Sequence, residues 1–286
     1  MNCRTQKSSL KVCVASCSLN QWALDFNGNY ERICTSVIQA KRKGALIRVG
    51  SELEICGYGC YDHFYEEDTI HHCWQMLSRL LSNTDLLGIL VFTGMPVMYR
   101  GVLYNCTIAF YNHEIVLIKP KMHLANELNY REMRYFVNWK RERHTESFIL
   151  PKQISSVTNQ HSVPFGDGVI STLDNVDIGC ETCEELFVPH SPHIDMSLDG
   201  VSIFVNLSAS HHILRKLNYR INLIMQSMQK VSCFCFSSIE SEILYYGLSS
   251  LVITINYLLF IINIILCIKQ CSTKFTLKSD RKAVNF

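Results

Sequence analysis

Hydrophobic positions along this chain recur with two periods, and the changes of period mark its elements. Residues 11–18 alternate as a strand does, and 30–43 switch to helical spacing through Ile33, Val37, Ile38 and Ala40. Lysine and arginine crowd that helix's last turn and Gly44 stops it. Residues 45–50 predict a short strand, followed by a turn at Gly57-Tyr58-Gly59. A second amphipathic helix over 66–81 opens on acidic residues, as the helix dipole favours. The unbroken apolar run 86–92 has the pattern of a strand buried on both faces. Residues 102–110 and 115–118 flank Tyr111-Asn112-His113-Glu114, a hairpin signal. The stretch 121–165 reads as loop-rich. Runs at 169–173, 176–179 and 201–206 predict three more strands, and 212–230 a helix. Strands alternating with helices, then hairpins, predict an α/β fold whose mixed sheet is covered by helices.

One run breaks the pattern. Residues 243–268 carry no charge and exceed the ~20 apolar residues that span a bilayer. The tail beyond carries Lys269, Lys274, Lys278, Arg281 and Lys282 against Asp280 alone, a net of +4. A cationic tail prefers the cytoplasm, which would put the rest of the chain in a lumen. The run therefore makes poor topological sense as an evolved anchor. It reads better as the end of a truncated or alternatively spliced product, or of a gene-model read-through.

Composition narrows the class. At 286 residues with 48% hydrophobic and 18% charged, the chain is long enough for a sizeable core. Its formal net charge is +2, so with the tail set aside the remainder is near −2 and no basic patch argues for nucleic acid. Fourteen cysteines is a high count, yet residues 1–19 make no secretory leader. Thiols are expected to be reduced, and the sequons at Asn105 and Asn206 idle. The expected compartment is the cytoplasm, with membrane association through 243–268 left open by the pattern.

Three residues share a context. Glu52, Lys121 and Cys183 each lie just beyond the C-terminal end of a short apolar strand, where sites form in sheets of this kind. An acid, an ammonium and a thiol together can perform acyl transfer. The thiolate attacks a carbonyl, a carboxylate moves the proton, and the cation steadies the oxyanion. Spacing alone makes this a weak signal, and a buried structural cysteine is the competing reading.

The wording around those residues is far more specific. Ser51-Glu52-Leu53-Glu54-Ile55-Cys56-Gly57-Tyr58-Gly59-Cys60 forms one block. Lys119-Pro120-Lys121 with Asn129-Tyr130-Arg131-Glu132 forms a second. Cys183-Glu184-Glu185-Leu186 with Pro189-His190-Ser191-Pro192-His193 forms a third. Together they resemble the motif blocks of the nitrilase, or carbon–nitrogen hydrolase, superfamily. Within it they look most like the amino-terminal glutaminase domains of glutamine-dependent NAD synthetases. Leu19–Phe26, Gly94–Met98 and Leu198-Asp199-Gly200 match as well.

The resemblance implies an α-β-β-α sandwich over residues 11–230, with 231–286 a divergent tail that leaves the second sheet incomplete and adds a hydrophobic helix. It implies Cys183 as nucleophile, Glu52 as general base and acid, Lys121 as oxyanion stabiliser and Glu132 as their orienting partner. Tyr130, Ser210 and Lys216 fall where such domains bind glutamine. The implied reaction is hydrolysis of the glutamine side-chain amide through a cysteinyl thioester, with no cofactor. In the resembled enzymes the ammonia serves a synthetase domain that uses ATP and deamido-NAD, whose Ser-Gly-Gly-x-Asp-Ser loop this sequence does not contain. Implied partners are a second copy of the chain or full-length synthetase subunits.

Other readings compete. A stand-alone amidase of the same superfamily is one. An inactive fragment that binds synthetase subunits or membrane is another. Ser51 replaces a proline usual before the glutamate. Cys180-x-x-Cys183 lacks a thioredoxin-like context, and His63, His71, His72, Cys60 and Cys73 lack the repeated spacing of a metal site. Glu184 and Glu185 read as a solvated helix start.

Overall fold

The computed structural model describes residues 12–127, 129–210, 216–231, 234–239, 275–279 and 282–284. The first sheet is built from β1 (Val14–Ser16), β2 (Ile47–Val49), β3 (Leu90–Tyr99), β4 (Val102–Tyr111) and β5 (Glu114–Pro120), with β6 (Thr145–Ile149) and β7 (Ser162–Gly166) beyond them. Its order is β1-β2-β3-β4-β5-β7-β6. β1, β2 and β3 run parallel, joined by helices α1 (Phe26–Arg42) and α2 (Glu67–Ser82), and β3, β4 and β5 form antiparallel hairpins.

The second sheet contains β8 (Val169–Thr172), β9 (Asp177–Thr182), β10 (Ile203–Ser208), β11 (Phe234–Ile239), β12 (Phe275–Ser279) and β13 (Lys282–Val284), in the order β11-β10-β9-β8-β12-β13. Side chains of β8, β9 and β10 join the core between the sheets. The short helix α5 (Pro192–Leu198) covers its outer face, and α6 (Lys216–Val231) follows β10. Two smaller helices, α3 (Glu132–Tyr135) and α4 (Lys152–Thr158), belong to the first half.

Period-two alternation assigns the strands' faces. Leu90 and Phe92 of β3 point between the sheets, as do Val49, Leu117, Ile170, Ile178 and Val205. Ile89 and Val91 face α1 and α2, whose Ile33, Val37, Trp74 and Leu77 bury against them. On β10, Ile203, Val205 and Leu207 face the first sheet while Phe204 packs under Met196 of α5. Four layers result: helices, sheet, sheet, helix. Each buried aliphatic or aromatic side chain of this kind contributes roughly 1.5–3 kcal/mol of transfer free energy.

The expected helices and strands form, but the strand expected over 86–92 begins at Leu90, after a 3-10 turn at Thr84–Leu86, and runs to Tyr99. The stretch expected to be loop-rich holds more order. Residues 145–166 form β6, α4 and β7 rather than loop. Pro164 lies inside β7 opposite Ser147, and a proline in a short run reads as a non-strand. The apolar run 243–268 lies outside the described residues. Among the described residues no helix is long and apolar enough to cross a membrane.

Candidate active site

Three strand exits converge. After β2 the chain turns sharply, with Leu53 at φ 51°, and the turn lies directly on β3. Gly94 makes this possible, since a Cβ there would sit 2.3 Å from the Leu53 nitrogen. Backbone bonds from Gly50 N–H to Phe92 O (2.9 Å) and from Ile55 N–H to Gly94 O (3.0 Å) clamp the turn. Glu52 is thereby held with 1% of its surface exposed.

Lys121 follows β5, its N–H donating to Asn105 O and its carbonyl accepting from Trp139 N–H. The ammonium donates to Glu52 Oε1 at 2.5 Å and to both Glu132 oxygens at 2.9 and 2.8 Å. Asn105 Nδ2 donates to the same Glu52 oxygen at 2.7 Å. Glu132, at the start of α3, also accepts from the Tyr58 hydroxyl at 2.5 Å and from Ala125 N–H at 3.0 Å. Glu52 Oε2 is buried with no hydrogen-bond partner among the described residues. That oxygen is the one open to a proton.

Cys183 leaves β9 in a left-handed conformation, φ 45°, which is costly for a side chain bearing a Cβ. A capping box between Thr182 and Glu185 fixes the turn. Glu185 Oε2 accepts from Thr182 N–H at 2.6 Å, and Oε1 accepts from Met122 N–H, one residue past Lys121. Glu185 is therefore not a solvated helix start: it is fully buried and ties the cysteine's turn to the lysine's strand exit.

The electrostatics follow from burial. Loss of water pushes the Glu52 carboxyl up to about 7, against the pull of Lys121 and helped by Glu132. Burial, with Glu52 adding to it, pushes the Cys183 thiol up to about 12, although Lys121 and Arg220 favour the thiolate. For Lys121 burial acts downward, but Glu132 and Glu52 outweigh it and hold the ammonium well above its ordinary value. The resting site thus holds a cation between two carboxylates beside a neutral thiol. Such a set can move a thiol proton to a carboxylate and stabilise an oxyanion at the ammonium.

Of the residues expected from the sequence, Glu52, Lys121, Glu132 and Cys183 come together. Tyr130 is buried with its ring 6.2 Å from that of Tyr58, edge-on. Ser210 is buried two residues beyond β10. Lys216 opens α6, and its side chain lies outside the described residues. Sequence reasoning gave no role in the site to Asn105, Tyr58, Glu185 or Arg220. Asn105 was legible only as a sequon, yet it is 1% exposed and bound to Glu52; Asn206 is buried too, donating to Glu181 at 3.2 Å. His193 of the third block pairs with that same Glu181 at 3.0 Å. Cys180 and Cys183 are not joined as a disulfide, and the described cysteines are thiols. No group of three or more potential metal ligands occurs among the described residues.

Comparison with known proteins gives a consistent result. The carbon-nitrogen hydrolase family matches residues 13–255. The glutamine-dependent NAD(+) synthetase of Macaca fascicularis is 56% identical over 220 residues, 77% of this chain and 31% of the relative. That of Saccharomyces cerevisiae is 53% identical over 219 residues, 77% of this chain and 30% of the relative. The chain spans about a third of the length of these relatives. Among solved structures, a glutamine-dependent NAD(+) synthetase from Cytophaga hutchinsonii superposes with a TM-score of 0.70 at 26% identity, over 80% of this chain and 36% of that one. An amidase of the nitrilase superfamily from Nesterenkonia shares the fold, with a TM-score of 0.61 at 11% identity over 82% of this chain and 78% of that one.

Proposed function

The chain belongs to the carbon-nitrogen hydrolase family, and on that premise we propose that it hydrolyses the side-chain amide of glutamine through a thioester on Cys183. The observation that carries the reading is the buried Glu52–Lys121–Glu132 cluster beside a strained, buried cysteine. Nothing in a merely structural core calls for it, since hydrophobic residues of similar volume would fill the space as well. Identity above half to synthetases named for their use of glutamine supports glutamine as the substrate.

The steps follow from the contacts. Glu52 takes the Cys183 proton as the sulfur bonds to the amide carbon. The carbonyl oxygen gains the displaced electron pair and is met by the Lys121 ammonium, which Glu132 holds in place. As the intermediate collapses the C–N bond breaks, and Glu52 returns its proton to the departing nitrogen, which leaves as ammonia. Water then attacks the thioester with Glu52 again accepting a proton, the C–S bond breaks, and the sulfur recovers its proton as glutamate departs. Tyr130, Ser210 and Lys216 contact the amino-acid end of the substrate.

On this reading residues 11–230 are the catalytic unit, the protein works in the cytoplasm, and the step needs no cofactor. Its ammonia serves amidation of deamido-NAD in a synthetase domain, reached through self-association or through full-length synthetase subunits. The test is ammonia release from glutamine by the purified full chain beside Cys183→Ala. Release by the wild type and none by the variant is expected. A folded wild-type protein that releases no ammonia overturns the reading.

A further inference from the structure

Arg220 is a buried cation that the chemistry above does not use. It lies on α6 with 6% of its surface exposed, and its Nε and Nη2 atoms have no hydrogen-bond partner among the described residues. A guanidinium stripped of water without an acceptor is costly, and folded proteins rarely keep one without an anion to meet it. The Lys121 ammonium already pairs with both carboxylates of the site, at 2.5 Å from Glu52 and 2.8 Å from Glu132. Arg220 is near enough to Cys183 for its charge to favour the thiolate. Its neighbour Tyr219 stacks on Phe187, ring centroids 6.1 Å apart, and Phe187 directly follows the turn that carries the cysteine. Helix α6 thus touches the segment after the nucleophile's turn through Tyr219, and carries a buried pair of donors without a described partner whose charge is felt at Cys183.

We propose that Arg220 binds the carboxylate of an amino-acid amide and so selects substrates that carry one beyond the scissile amide. This rests on the glutaminase reading and deepens it. A guanidinium meets a carboxylate with two parallel N–H bonds, which fixes orientation as well as charge. Glutamine ends in such a group, and with it held at Arg220 its amide carbon is presented to the sulfur. Lys216 lies one helical turn earlier on the same face, so the two cations flank one another at backbone level.

The experiment compares glutamine with 4-aminobutanamide, which is glutamine without its carboxylate, on the full chain. The wild type favours glutamine, and Arg220→Met lowers kcat/KM for glutamine by about 100-fold, chiefly through KM. The amide without a carboxylate, a cation near neutral pH, loses no more than about twofold and gains if anything as the guanidinium's repulsion goes, so discrimination collapses. Arg220→Lys, which keeps the buried charge and loses the fork, falls between and covers the case of a misfolded Arg220→Met. In the Cys183→Ala background, calorimetry shows the same loss of glutamine affinity without any turnover. Parallel losses for both amides, or undiminished glutamine binding by a folded Arg220 variant, overturn the proposal while leaving the glutaminase reading standing. A wild type that hydrolyses the amide without a carboxylate but not glutamine removes both, and Cys183 chemistry alone remains.

Discussion

Glu185 joins the two halves of the site: one carboxylate oxygen accepts from the backbone of Thr182, beside the cysteine, and the other from Met122, beside the lysine. The nucleophile comes from the second sheet and the ammonium from the first, so a single buried side chain sets their separation. Replacing it by alanine leaves two buried N–H groups unsatisfied, at ~1–3 kcal/mol each. Glu185→Ala is expected to lower the urea midpoint accordingly and to reduce kcat far more than it raises KM. An equal effect on both would assign it to substrate binding instead.

Lys121 stands between two carboxylates that are otherwise buried from water. Removing the ammonium leaves them to repel each other without compensation, a loss of ~3–5 kcal/mol. Lys121→Met therefore loses activity and unfolds at markedly lower denaturant. The double change Lys121→Met with Glu132→Gln recovers part of the stability and none of the activity, a combination that equilibrium unfolding and an ammonia assay separate.

Activity and stability respond to pH in opposite directions. Burial raises the Glu52 carboxyl to about 7, so the base is lost as pH falls below that value and kcat/KM falls with it. Glu185 is likewise raised by burial to about 7. The folded state holds this proton more tightly than the unfolded chain does. Its stabilising contribution is full below the unfolded carboxyl's value near 4.5 and is lost as pH rises through about 7. Between those limits wild-type stability has a downward component with rising pH that Glu185→Gln lacks. Urea midpoints of both proteins at the two ends of that window measure it.

Asn105 donates to the same Glu52 oxygen that Lys121 holds. Asn105→Asp sets a third carboxylate into the cluster and pushes the Glu52 carboxyl higher. The acid limb of the pH–rate profile moves upward, and an unmoved limb would show that Glu52 is not the titrating base.

Gly94 lets the Glu52 turn rest on β3. In Gly94→Ala the new Cβ meets the Leu53 nitrogen at 2.3 Å, so the turn is displaced. Activity is expected to fall at least about 100-fold, as misplacing a catalytic group by an ångström does. Circular dichroism distinguishes this from global unfolding.

Much of this architecture was legible in the residues. The apolar run 201–206 has no solvent face to disguise, and β10 forms close to it. The run 86–92 marks β3 but only its first three residues, since the strand starts at Leu90 and continues through Pro96 to Tyr99. The α1 face through Ile33, Val37 and Ala40 likewise appears as buried. Glu52, Lys121, Glu132 and Cys183 were found through their neighbouring words, because three common residue types carry little information by spacing. What escaped was tertiary in origin. Glu185 and Asn105 read as solvent-facing side chains until the chain folds around them. Arg220 sits in a helix of mixed polar residues, and its burial appears only once the chain is folded. β7 was hidden by its proline.

The central claim is a covalent one, that the substrate's acyl group passes through Cys183. Rapid acid quench of the full chain turning over glutamine, followed by peptide mass spectrometry, tests it most directly. One γ-glutamyl group on the peptide bearing Cys183, removed by hydroxylamine and missing in Cys183→Ala, is the predicted result. Ammonia release that continues at the wild-type rate in Cys183→Ala, with no adduct on the wild-type peptide, would contradict it.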